Sequence, residues 1–77
     1  MKLGGIYIKN NLQYIRKESR ISQKKFADKI GISRPYLSKI ENGRVNPSLE
    51  IAHKISLETG KTINEIFFDF AVNHSKL

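Results

Sequence analysis

The sequence predicts an all-α fold in which five short helices surround a single core, and three observations carry that expectation. Apolar residues recur three and four positions apart in five segments. Each segment opens on Asn, Ser or Thr, and Gly31, Gly43 and Gly60 stand where the second, third and fourth segments stop. No two apolar runs are joined by a convincing hairpin turn.

The first helix begins at Asn10 or Asn11 and runs through "LQYIRKES", with Leu12 and Ile15 on one face. Ser22 caps the second, "QKKFADKI", in which Phe26, Ala27 and Ile30 share a face before Gly31 ends it. Only "GIS" separates it from the third, where Ser33 is the cap, Pro35 lies in the first turn and Gly43 terminates. The fourth takes Asn46 or Ser48 as cap, turns Ile51, Ala52 and Ile55 inward and stops at Gly60. The fifth, "TINEIFFDF", opens on a capping box of Thr62 and Glu65 and stacks Ile63, Ile66, Phe67 and Phe70. Ile6, Tyr7 and Ile8 either extend the first helix or form a short strand, with the apolar end "FFDFAV" as a candidate partner. The domain plan is an N-terminal arm or short strand over 1–9, a helical domain over 10–70 and a tail over 71–77.

Seventy-seven residues enclose one core and leave no room for a second domain. The absence of cysteine excludes disulfides, thiolate metal sites and thiol nucleophiles. No segment has the roughly 20 apolar residues of a membrane span or the core of a signal peptide, so a cytoplasmic protein without membrane contact is expected. Fourteen basic residues against seven acidic ones give +7. Ten of the bases and only three of the acids fall in residues 9–46. A basic segment beside a near-neutral one suits a polyanion, nucleic acid before membrane; a solvated lysine-rich surface is the plain alternative.

The three-residue link between the second and third helices has the spacing of a helix-turn-helix, and Ala27 supplies the small residue that a steep crossing needs. At 100° per residue, Leu37 and Ile40 of the third helix point inward with Glu41 beside them. Pro35, Ser38, Lys39 and Asn42 form the opposite face, and Arg34 projects from the first turn. Such a face offers cations for guanine acceptors, a hydroxyl, and a proline edge for a thymine methyl. Tyr36, at the flank, either reaches a phosphate or base edge or packs half-buried with its hydroxyl wet.

The run from Asn10 to Phe68 resembles the Cro and phage-repressor type of helix-turn-helix, the Xre family of transcriptional regulators. The resemblance rests on Leu-x-x-Ile-Arg in the first helix, Ile-Ser-Gln opening the second, Phe-Ala before Gly31, Ile-Glu-Asn-Gly closing the third, and Asn-Pro-Ser before the fourth. It implies a compact five-helix lambda-repressor-like DNA-binding domain and a sequence-specific regulator of double-stranded DNA, a repressor or autoregulator. It further implies base contacts from Arg34, Pro35, Tyr36, Ser38 and Lys39, and phosphate contacts from Gln23, Ser33, Asn42, Arg44 and Asn46, with Gly43 in the loop that holds the backbone. A structural ion pair between Arg16 and Glu41 is implied as well. Pro35 and Lys39 replace the small or amide residues of many relatives, so base preferences do not transfer, and Phe26 replaces a usual leucine.

His53 and His74 lack partners at metal-ligand spacing, and no nucleophile, base and orienting group share a face. No enzyme activity, metal, cofactor or small-molecule ligand is therefore expected. Lys24, Lys25 and Lys29 either solubilise the second helix or meet the DNA backbone. The apolar end leaves Phe68, Phe70 and Val72 as a candidate homodimer surface on a two-fold operator; a monomer with the tail folded onto Ile6 and Ile8 is the alternative. A second functional reading remains, an antitoxin-like or adaptor protein whose main partner is another protein.

Overall fold

The computed structural model describes residues 10–69 in full, together with the backbone of Lys2–Leu3 and Ile6–Tyr7. The expected contacts of Phe70, Val72 and the tail lie outside the described residues. Lys2–Leu3 (β1) and Ile6–Tyr7 (β2) pair antiparallel, Lys2 opposite Tyr7 and Leu3 opposite Ile6. Five helices come after them: α1 Leu12–Glu18, α2 Gln23–Ile30, α3 Arg34–Glu41, α4 Leu49–Thr59 and α5 Ile63–Phe67.

Local chemistry sets the helix limits. The hydroxyls of Ser22, Ser33, Ser48 and Thr62 each accept the main-chain N–H three residues on, which gives one otherwise orphaned donor of each helix a partner. Glu65 returns the bond to the Thr62 N–H at 2.9 Å, completing a capping box. Gly31, at φ +78°, ends α2 in the left-handed region, which is strained for any L side chain. Arg20 enters the same region at φ 58° without being glycine. Two bonds between its neighbours hold it there: Ile21 donates its N–H to the Arg16 carbonyl and receives Arg16 Nη1 on its own carbonyl at 2.7 Å.

One side of each helix is apolar, and these sides meet. Leu12, Leu37, Ile40, Ile55 and Ile66 are fully enclosed, each stabilising the fold by about 1.5 to 3 kcal/mol relative to exposure. Ile15, Phe26, Ala27, Ile30, Ala52 and Phe67 complete the core. Helix α2 packs on α3 and α4, and α5 on α1 and α4. Ile32, in the three-residue link, packs against the same core and fixes the turn between α2 and α3 from below.

Helix α5 is shorter than the apolar spacing predicts, ending at Phe67. The reason is Asn11, which is 1% exposed. Its Nδ2 donates to the carbonyls of Glu65 and Asp69, both at 2.7 Å, and its main-chain N–H donates to the Ile66 carbonyl at 2.8 Å. Two of those carbonyls, Glu65 and Ile66, would otherwise be left for the next turn of α5. The cap of α1 is likewise shared: Asn11 holds the N-cap position, but it is the Asn10 Oδ1 that accepts the Leu12 N–H, at 2.9 Å.

Candidate nucleic-acid interface

The amphipathic character of α3 divides its residues between two tasks. Leu37, Ile40 and Glu41 are buried, whereas Arg34, Pro35 and Lys39 are exposed along the opposite side, with Ser38 half-buried beside them. Tyr36 is half-buried and packs against the core, so its ring has an anchoring role whatever its hydroxyl meets. Ser33 is exposed; its oxygen accepts the Tyr36 N–H at 3.2 Å, and its hydroxyl proton remains a donor. Pro35 sits in the first turn, where the missing N–H leaves no bond unmade.

The start of α2 carries a second feature. Ser22 satisfies Lys25 through its hydroxyl and Phe26 through its carbonyl. The main-chain N–H groups of Gln23 and Lys24 have no acceptor among the described residues, and with the helix dipole they favour an anion. The Gln23 side chain turns inward and donates from Nε2 to Glu41 Oε1 at 3.0 Å. Glu41 is fully buried and also receives Arg16 Nε at 2.7 Å and Arg16 Nη2 at 3.3 Å. One carboxylate therefore gathers the end of α1, the start of α2 and the end of α3. The family resemblance implies the Arg16–Glu41 pair and a phosphate contact from Gln23, but not the bond between Gln23 and Glu41, because nothing in residue spacing tells which way an amide turns.

The loop after α3 is ordered by its own side chains. Asn42 Nδ2 donates to the Ser38 carbonyl at 2.8 Å, tying the residue back to the helix rather than leaving it outstretched. Gly43 donates to the Ile40 carbonyl and Arg44 to that of Lys39. Arg44 and Asn46 lie beyond this turn, Arg44 exposed at its outer edge. Of the three α2 lysines, Lys24 pairs with Asp28 at 3.1 Å and Lys29 with Glu58 of α4 at 3.3 Å, while Lys25 is exposed. His53 is exposed, and no group of three or more His, Asp or Glu side chains among the described residues could hold a metal ion.

An apolar groove of about 340 Å³ opens between the loop after α3, the start of α4 and α5, lined by Val45, Pro47, Leu49, Ile63, Phe67 and Phe68 among others. Leu49 is 81% exposed and Phe68 59%. Phe68 is expected at an exposed apolar surface from sequence, whereas Leu49 is not. No described helix is long and apolar enough to cross a membrane.

A helix-turn-helix family model matches residues 12–66. The chain is 46% identical over 61 residues to the control protein C.MunI of Mycoplasma sp, a match spanning 78% of this chain and 82% of that protein. It is 40% identical over 60 residues to an uncharacterized HTH-type transcriptional regulator of Methanocaldococcus jannaschii, covering 78% and 91%. Among solved structures, the restriction-modification controller protein C.AhdI from Aeromonas hydrophila superimposes with a TM-score of 0.67 at 28% identity, covering 74% of this chain and 86% of that one.

Proposed function

Because the chain belongs to the helix-turn-helix family of DNA-binding transcriptional regulators, we propose that it acts in the cytoplasm as a homodimeric repressor or autoregulator on a two-fold operator. Residues 10–70 form the DNA-binding unit. The observation that carries this reading is the division of α3, with a buried apolar side and an exposed side of Arg34, Pro35 and Lys39, next to the open N–H groups at the start of α2. Arg34, Pro35, Tyr36, Ser38 and Lys39 address base edges. Gln23, Ser33, Asn42, Arg44 and Asn46 address phosphates.

A second copy of the chain fills the groove beside Leu49 and Phe68. An eight-residue helix reaches only a few base pairs, too few to discriminate one site among many, and two-fold repetition doubles the read sequence. The large apolar side chains exposed on one face favour that arrangement. Relatives named as control proteins, one of them of a restriction-modification system, favour a controller role for this chain too, with a restriction-modification gene set as its target.

Selection of bound sites from random duplexes tests the reading. The expected product is an inverted repeat with half-sites about 10 base pairs apart, centre to centre. Affinity should fall by about 10³ to 10⁵ between 50 and 200 mM salt if the dimer neutralises roughly 6 to 10 phosphates. A salt-insensitive complex, or a selected site without two-fold symmetry, would count against it.

A further inference from the structure

We propose that Glu41 is a positioning residue for phosphate binding: its buried carboxylate orients the Gln23 amide so that the second Nε2 N–H is offered to a DNA phosphate at the start of α2. The inference rests on the DNA-binding reading above and deepens it.

A carboxylate accepts hydrogen bonds and donates none, so Glu41 Oε1 selects the nitrogen end of the Gln23 amide and rejects the oxygen end. On an open surface that amide turns either way, and its oxygen end repels a phosphate. Held by Glu41, it keeps one N–H inward and the other available. Gln23 is the first residue of α2 and half-buried, beside the main-chain N–H groups that have no acceptor among the described residues. A phosphate arriving there meets a donor set already turned toward it, with less ordering left to do on binding.

Charge does not defeat the arrangement. Arg16 covers the Glu41 carboxylate with two bonds and is itself anchored on the Ile21 carbonyl. Those two bonds satisfy the carboxylate without Gln23. A purely structural Glu41 would be served by any side chain at residue 23, whereas an amide has a second N–H with which to meet both the carboxylate and a phosphate.

A double-mutant cycle on the full chain, read as duplex affinity at fixed salt with a thermal unfolding midpoint for each protein, tests this. Gln23→Ala should lower affinity on the order of fivefold for all sequences, without changing the salt slope because the amide is neutral. The apolar replacement Arg16→Met with Glu41→Leu preserves packing at a buried pair and should lose a similar factor. Adding Gln23→Ala to it should cost less than about twofold more. Equal losses from Gln23→Ala in both backgrounds would overturn the proposal. Should the apolar pair not fold, the wild-type Gln23 side-chain resonances decide. One exchange-protected amide proton, and a second that shifts only when duplex is added, are expected; two equally exposed, unresponsive protons overturn it. If the wild-type protein binds no duplex even at low salt, the DNA-binding reading itself falls, whereas additivity in a protein that binds removes only the role of Glu41.

Discussion

The side chain of Asn11 reaches across 54 residues of sequence to the main-chain carbonyl of Glu65, at 2.7 Å, and so fastens the start of α1 to α5. The same Nδ2 meets the Asp69 carbonyl. Asn11→Ala removes both donations inside the fold. It should destabilise the domain by about 1 to 3 kcal/mol, read as a lower urea midpoint at unchanged slope.

Arg16 and Glu41 form a buried pair whose loss depends on how it is made. Glu41→Ala leaves the guanidinium buried without its counter-charge, 7% exposed. A cost of about 3 to 5 kcal/mol is expected, a large share of the stability of a domain this size. Replacing both residues by apolar ones of similar volume should cost far less. Thermal unfolding of the two variants side by side separates the desolvated charge from the packing.

Exposed residues of α3 and of the loop after it should divide by the kind of DNA contact they lose. Arg34→Ala or Lys39→Ala is expected to relax base preference at one operator position by about 1 to 3 kcal/mol. Arg44→Ala should weaken every duplex alike and reduce the salt slope by about one charge. Binding to a panel of single-base operator variants at two salt concentrations distinguishes the classes. If all three act alike, the assignment is wrong.

Leu49 and Phe68 stand largely outside the core, so changing them tests association with little effect on folding. Leu49→Glu should halve the mass seen in sedimentation and raise the protein concentration needed for half-binding of a duplex, with an unchanged unfolding midpoint after extrapolation to low protein concentration. A dimer unaffected by both Leu49→Glu and Phe68→Ser would place the interface elsewhere.

The capping box sets a dependence on acidity. The Thr62 main-chain N–H, and after it the Thr62 hydroxyl, hold the Glu65 carboxyl below its ordinary value of 4.5. A depressed carboxyl binds protons less readily when folded than when unfolded, so its stabilisation is complete above 4.5 and is lost as pH falls through the folded value. Glu65→Gln keeps a side-chain acceptor for the Thr62 N–H but removes the titration. Its unfolding midpoint should fall less steeply below pH 4.5 than that of the wild type.

Much of this fold is legible because its punctuation is local. Ser22, Ser33, Ser48 and Thr62 cap helices through bonds to residues three positions away, and Gly31, Gly43 and Gly60 all take positive φ, a conformation glycine adopts freely. The exposed side of α3 comes from helical geometry alone. Less legible are features decided by distant partners. The early stop of α5 depends on Asn11, and the orientation of Gln23 on a carboxylate 18 residues later. Amide side chains are the hardest of these to read, since each carries a donor and an acceptor and its neighbours choose between them.

Gly31 shows what governs the turn between α2 and α3. A Cβ built there would meet nothing within 4 Å, so bulk is not what favours glycine; the φ of +78° is. Handedness, not volume, is the gatekeeper. A residue of mirror-image chirality would enter that backbone conformation without strain. The crossing of α2 and α3 therefore depends on the stereochemistry allowed at one α-carbon.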